Sequence, residues 1–313
     1  MKQLFHTALL ALLISSLAMA QDVAGEYIVE LAGSPAVATT PAKGPRLASG
    51  RAAVQAAQAS VRSALAAANV EVTASIDTVM NALIVKSDDP ALLSSTPGVA
   101  RVYPVRLYKM VLDRAVILQN LPAAAERIGG SENAGAGMKI GIIDSGIDIS
   151  HPAFNDSGFT TPAGFPRVNK DTDNSFTNKK VIVARNYDTR ISATASDRRG
   201  HGTAVAMIAA GVRNAGPRAT IMGIAPRAYL GSYKVFPDGQ DGAPNSAILK
   251  AIDDGVADGM DVINLSLGAF PAERLDSDPL VTAVENASRA GVIVVIAAGN
   301  DGPGLNTIGS PGT

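Results

Sequence analysis

Lys139-Ile140-Gly141-Ile142-Ile143-Asp144-Ser145-Gly146 is the stretch whose reading decides the fold. An apolar, isoleucine-rich run ends on an acid and a turn of small residues. In an open α/β sheet, ligands and chemistry gather beyond the carboxyl ends of the strands. The stretch therefore reads as a central strand that delivers Asp144 to that rim. Asp and Gly are also common turn formers, so the same residues suit an ordinary strand end. The rest of the chain decides between the two.

Downstream, residues 155–178 are rich in Asn, Asp, Thr, Gly and Pro and read as loops. A short strand follows at 181–185, and Arg199-Gly200-His201-Gly202-Thr203 introduces a helix of small residues reaching Gly211. Strands are expected at 228–235 and 262–267. Between them lies a helix capped by Ser246, with Ile248, Ile252 and Val256 on one face. Asp278-Pro279 opens another helix, Gly291 ends it, and 292–297 is a strand of continuous apolar residues, as expected when both faces are covered. Alternating strands and helices imply an α/β fold, a parallel sheet with helices on both faces.

Upstream, residues 26–108 follow a different grammar. A strand closes at Gly33-Ser34-Pro35, and a helix with Val54, Val61 and Leu65 on one stripe spans 51–68. Two β runs lie at 70–76 and 82–85, and a short helix opens at Asp88-Asp89-Pro90. After Gly98 a last strand covers 99–108. The order β-α-β-β-α-β is a small α+β unit. A glycine-punctuated region, with a short helix at 123–128, separates it from the central strand.

The first twenty residues carry a basic Lys2, a short apolar run and Ala18-Met19-Ala20, the pattern of a cleaved secretory signal peptide. No other segment is apolar enough to span a bilayer. The expected division is a signal peptide at 1–20, an α+β unit at 21–113 and an α/β domain at 114–313. The chain of 313 residues is 47% hydrophobic with a formal net charge of −1, which gives no electrostatic reason for nucleic-acid binding. It has no cysteine, which excludes thiol catalysis, Cys-ligated zinc and disulfides.

Of the three histidines, His6 lies in the leader and His151 in a turn, where it reads as structural. His201, at a helix start between glycines, is open to a partner. A carboxylate such as Asp144 can fix the tautomer of a histidine acting as general base. Ala297-Ala298-Gly299-Asn300 ends another strand. An amide there can donate to a developing oxyanion, although Asn-Asp-Gly is also strong turn chemistry.

Asp144-Ser145-Gly146 with His151-Pro152, then His201-Gly202-Thr203-Ala204-Val205-Ala206, then Ala298-Gly299-Asn300, resembles the subtilisin-like serine proteases, the subtilases. The resemblance implies that Asp144 orients, His201 acts as general base and acid, and Asn300 donates to the oxyanion. It matches Ser266, Leu267 and Gly268, in Asn264-Leu265-Ser266-Leu267-Gly268, to one wall of a specificity pocket. On the same resemblance, Ala297, Ala298 and Gly299 would form the facing wall, and a loop near Gly242 would border the peptide cleft. It also implies that the α+β unit is an inhibitory propeptide packed on the catalytic domain with its last strand's tail in the cleft. The partners implied are polypeptide substrates and the chain's own propeptide, with no nucleic acid and no membrane.

Two departures stand out. The family's nucleophile sits in a Gly-Thr-Ser-Met-Ala type motif after the oxyanion Asn, and no Gly-Thr-Ser occurs in these 313 residues. Ser310 precedes a proline, and Ser145 adjoins the acid. The chain therefore reads as a precursor truncated before its serine and inactive alone. Ala153 and Ala204 also replace a calcium-ligating Asp and a second His common in the family. No cofactor is expected; the loop carrying Asp171 and Asp173 offers oxygen ligands that could hold a calcium ion, but it reads as solvated. Two other functions compete: a non-catalytic pseudoprotease or propeptide-type protease-binding protein, and a nucleotide-binding α/β domain. The second lacks a Gly-x-Gly-x-x-Gly phosphate cradle.

Overall fold

A computed structural model describes residues 22–110, 124, 126–190, 192–216, 220–270, 275–300 and 307–312. The expected signal peptide lies outside the described residues, as do residues 123 and 125 of the helix expected at 123–128.

The first unit comprises β1 (Asp22–Leu31), α1 (Ala36–Thr39), α2 (Ala48–Ala67), β2 (Glu71–Ile76), β3 (Ala82–Lys86), α3 (Pro90–Ser95) and β4 (Val99–Met110). Its antiparallel sheet runs β4-β1-β3-β2. On α2, Val54, Gln58, Val61 and Leu65 recur at helical spacing and are the buried positions. Val61 and Leu65 pack with Val29, Leu31, Leu83, Val85 and Leu93. Gln58 tolerates burial because its amide donates to Ile76 O at 2.9 Å and Asn81 Oδ1 at 3.0 Å. Asp89 caps α3 by accepting from the N–H groups of Ala91 and Leu92.

The second unit contains β5 (Lys139–Asp144), β6 (Arg167–Val168), β7 (Val181–Asn186), α4 (His201–Ala210), a small hairpin of β8 (Asn214–Ala215) and β9 (Thr220–Ile221), and β10 (Tyr229–Lys234). It continues through β11 (Ala243–Pro244), α5 (Asn245–Asp258), β12 (Val262–Leu265), β13 (Leu267–Gly268), α6 (Pro279–Arg289) and β14 (Ile293–Ile296). Six strands pair in parallel in the order β14-β12-β5-β10-β7-β6. The two-residue period of a strand sends Ile142 and Ile143 to opposite faces. Ile142 joins Val205, Ala206 and Leu230 under α4. Ile143 joins Ile248, Ile252, Ile263, Leu265 and Leu280 under α5 and α6. The expected α/β fold, with helices on both faces of a parallel sheet, is what the chain adopts.

Four expectations need correction. Ser246 does not cap α5: the cap position is Pro244, without a side-chain hydrogen bond, and Ser246 lies inside the helix. The strand expected over 262–267 breaks at Ser266 into β12 and β13, because Leu267–Gly268 leaves the parallel sheet to pair with β4. The apolar run 292–297 is not covered on both faces: β14 is an edge strand, with Ile293 61% and Val295 49% exposed. The loop carrying Asp171 and Asp173 is not wholly solvated. It forms a 3-10 turn in which Asp173 is fully buried and accepts from Ala195 N at 2.9 Å.

The two units share one core. Ile28, Val79, Met80 and Tyr103 of the first cluster with Ile248, Leu249 and Ile252 of α5. At this joint Asp253 Oδ1 accepts from the N–H groups of Thr78 at 2.7 Å and Val79 at 3.1 Å. Asn245 Oδ1 accepts from Arg106 N at 2.8 Å, and Asn286 Nδ2 donates to Val79 O at 2.6 Å. The end of β4 then runs between two edges of the second unit. Leu107 and Tyr108 pair with Pro244 and Ala243, and Lys109 and Met110 with Gly268 and Leu267, all antiparallel.

Candidate active site

Asp144 is the last residue of β5 and is wholly buried. His201 is the first residue of α4 and is part-buried. The structure brings them together: His201 Nδ1 lies 2.8 Å from Asp144 Oδ1 and 3.0 Å from Oδ2. Ser145 N donates to Asp144 Oδ1 at 2.7 Å. Two glycines permit the approach. Gly200 turns the chain into the helix with φ of 80°, a left-handed conformation that L side chains rarely adopt. Gly202 lies so close to the turn after β5 that a Cβ there would sit 2.2 Å from Gly146 O.

The electrostatics of the pair follow from burial and contact. Burial pushes the Asp144 carboxyl above its ordinary value, against the pull of His201. The hydrogen bond to Asp144 raises His201 above an ordinary imidazole, against partial burial. The two shifts have different causes, burial for the acid and the contact for the imidazole, and an enclosed carboxylate is best served by a proton donor facing it. Nδ1 therefore carries the proton toward Asp144, and the neutral ring keeps Nε2 free to accept one.

A second carboxylate, absent from the sequence reading, stands behind the pair. Asp197 Oδ1 accepts from Ser145 Oγ at 2.9 Å, Arg199 N at 2.9 Å and Gly200 N at 3.0 Å. Its Oδ2 accepts from Thr203 N at 3.0 Å and Thr203 Oγ1 at 2.5 Å. Ser145 Oγ in turn accepts from Gly202 N at 2.9 Å. The available signal was an acid four residues before a histidine in a polar turn.

The remaining expected residues fall along the rim. Asn300 is exposed, four residues past the end of β14. Ser266 and Leu267 are buried, and Ser266 Oγ accepts from Asn264 Nδ2 at 3.0 Å. Ala297 N donates to Leu265 O at 3.0 Å, so the two expected walls belong to adjacent strands. Gly309 N donates to Ala298 O at 2.9 Å, and Ser310 N to Ala269 O at 2.9 Å, so this segment bridges the two walls. Ser310 Oγ donates to Asp278, which places it in the core. Gly242 immediately precedes β11, the edge that pairs with β4. His151 is exposed, and its Nδ1 accepts from Ala153 N at 3.2 Å.

A six-stranded parallel sheet with an Asp–His pair at its carboxyl rim defines a class of α/β scaffold. Comparison narrows it: the profile of the subtilase family, Peptidase S8, matches residues 135–313, and the chain belongs to that family. Among curated proteins, the subtilisin-like protease SBT4.4 of Arabidopsis thaliana is 39% identical over 183 residues, 55% of this chain and 24% of that protein. SBT2.3 of the same plant is 33% identical over 262 residues, 73% of this chain and 30% of that protein. The chain thus spans about a quarter of the length of the curated relatives it matches. Two solved structures share the fold. Fervidolysin from Fervidobacterium pennivorans, a keratinolytic enzyme related to subtilisin, gives a TM-score of 0.55 at 15% identity, over 91% of this chain and 42% of that one. The epidermin leader peptide processing serine protease EpiP from Staphylococcus aureus gives 0.54 at 21% identity, over 90% and 61%.

Proposed function

We propose that this chain supplies the acid and the base of a secreted serine endopeptidase, delivered as a precursor whose nucleophile lies outside these 313 residues. The observation that carries the reading is the 2.8 Å contact between His201 Nδ1 and Asp144 Oδ1, which leaves Nε2 for a serine. In this reading Nε2 takes the serine proton as the hydroxyl attacks the peptide carbonyl, then returns it to the leaving amine. Asp144 holds the tautomer and stabilises the imidazolium. Asn300 donates to the oxyanion, a contribution worth about 2.7–4 kcal/mol in such sites.

The first unit is read as the inhibitory propeptide. Its support is the course of β4, whose last residues occupy the two edges, β11 and β13, where an extended peptide would add as a strand. Residues 1–20 are read as the secretory leader, and among the described residues no helix is long and apolar enough to cross a membrane.

The test pairs two proteins. The 313-residue chain is expected to neither hydrolyse a peptide ester nor react with a serine-directed phosphonate. A longer chain that continues into a Gly-Thr-Ser segment is expected to do both. In that longer chain Asp144→Asn should lower kcat by about 10⁴-fold, the loss typical of the orienting acid in serine-protease triads. Phosphonate labelling of any serine in the shorter chain would overturn the assignment. The occupied edges also favour a second reading, a protein that binds proteases without cleaving. It predicts that the chain inhibits an unrelated subtilisin-type enzyme stoichiometrically and that no longer active form exists.

A further inference from the structure

We propose that Asp197 is a positioning residue for the Asp144–His201 pair, holding the imidazole against Asp144 through Ser145 and the first turn of α4. This rests on the reading of that pair as the acid and base of the site, and the experiment below separates the two.

Asp197 belongs to the loop preceding α4, not to either element of the pair. Its carboxylate is nevertheless filled by donors that each adjoin the pair. Ser145, which follows Asp144, gives its hydroxyl hydrogen to Oδ1. Arg199 and Gly200, which precede His201, give their N–H groups to the same oxygen. Thr203, two residues past His201, gives both its N–H and its hydroxyl to Oδ2. Ser145 closes the ring: its N–H lies on Asp144 Oδ1 and its oxygen accepts from Gly202 N. Both hydrogen-bonding roles of that hydroxyl are used, so its orientation is fixed. The backbone agrees. A Cβ on Gly146 would meet Ala195 O at 2.9 Å and Asp197 N at 3.0 Å, so the turn after Asp144 is moulded directly on this loop. Because α4 has no cap side chain at Gly200, Asp197 also takes one of its open N–H groups, that of Thr203, from outside the helix.

The charge of Asp197 acts on the imidazole as well, in the same sense as Asp144. The other charged groups nearby are placed differently. The guanidinium of Arg199 lies 5.7 Å from the centre of the Phe236 ring. The Lys234 ammonium donates to Thr194 O, Ser196 O and Asp238. Arg198 is exposed, and Asp148 meets the network through its N–H on Thr203 Oγ1. Asp197 is therefore the second negative charge of the site and the link between the end of β5 and the start of α4.

The chain has only three histidines, so nitrogen-15 imidazole spectra of the full 313-residue protein can follow His201 through a pH titration. Asp197→Asn removes the charge and leaves one acceptor oxygen. It is expected to lower the His201 pKa below that of the parent, since one of the charges that raises it is gone, and to broaden its Nδ1 proton resonance. Ser145→Ala cuts the link to Asp144 while leaving the bonds from Asp197 to Thr203, Arg199 and Gly200. It should broaden the same resonance without a comparable loss in melting temperature, and it carries the test if Asp197→Asn fails to fold. An unchanged His201 titration in Asp197→Asn, or an unchanged resonance in Ser145→Ala, reduces Asp197 to a helix cap and overturns the proposal. Asp144→Asn is the control for the underlying reading. If it leaves His201 titrating as in the parent, the pair itself is misread. If it lowers the His201 pKa while Asp197→Asn does not, only the positioning role fails.

Discussion

One methyl group at position 202 tests how tightly the pair is built. A Cβ there meets Gly146 O at 2.2 Å and Asp144 Cβ at 3.2 Å, and the nearest obstacle is backbone, which cannot swing aside. Gly202→Ala should displace the start of α4, cost about 1–3 kcal/mol as an overpacking change, and abolish the elevated titration of His201; calorimetry and imidazole spectra check both. The pair also has a predictable pH signature. The His201 pKa is raised by its bond to Asp144, so its stabilising contribution is fully present below the pKa of an unfolded imidazole. It is lost as pH rises through the higher folded value, whereas the proposed role as general base needs that same deprotonation. Lys180 gives the opposite sign. It is fully buried, donates to Pro226 O and Ala228 O, and burial lowers its pKa to about 7. Its folded pKa lies below the unfolded one, so stability is highest above the unfolded value and falls with pH down to about 7. The melting temperature of Lys180→Met, measured against the parent, should therefore improve steadily between about pH 10 and pH 7. A difference independent of pH would show that the ammonium is charged throughout.

At the scale of elements, helices whose start is written locally were legible, and those set by distant partners were not. Asp89-Pro90 and Asp278-Pro279 each place a capping acid before a proline that needs no N–H partner, and both open helices as read. Their consequences differ by context. Asp89 is exposed and caps only α3, so Asp89→Ala should cost about 1 kcal/mol. Asp278 is buried and also receives the Ser310 hydroxyl, so Asp278→Ala should cost more, because a buried donor loses its partner. Chemical denaturation of the two variants side by side checks the order. The start of α5 was misread because Asn245 and Pro244 are committed to β4, contacts that no local pattern announces. Asp144 and His201 were legible because strand-end acid and glycine-flanked histidine are local signatures. Asp197 was not, since its meaning comes from Ser145, 52 residues away. The exposure of β14 escaped for a related reason: a continuous apolar run states that a strand is apolar, not that something covers it.

Across the whole molecule, the joint between the two units and the open edge of the sheet carry the remaining predictions. Asp253 of α5 serves two buried backbone N–H groups of the first unit, and Asp253→Ala leaves both without an acceptor. Hydrogen exchange at Thr78 and Val79 should then accelerate well ahead of amides inside α2, showing that the joint opens before the unit unfolds. The edge behaves differently. Ile293 and Val295 point from the same face of β14, 61% and 49% exposed. Isolated exposed side chains need no explanation, but apolar residues aligned on an edge strand form a template for association. Ile293→Thr with Val295→Thr keeps the β-branched shape that suits a strand and removes the greasy face. The paired variant should bind less of a hydrophobic dye and stay monomeric at higher concentration, with its circular dichroism unchanged. Unaltered dye binding would place the adhesive surface elsewhere, whereas a loss of secondary structure would mean that these two side chains are needed by the strand's own fold.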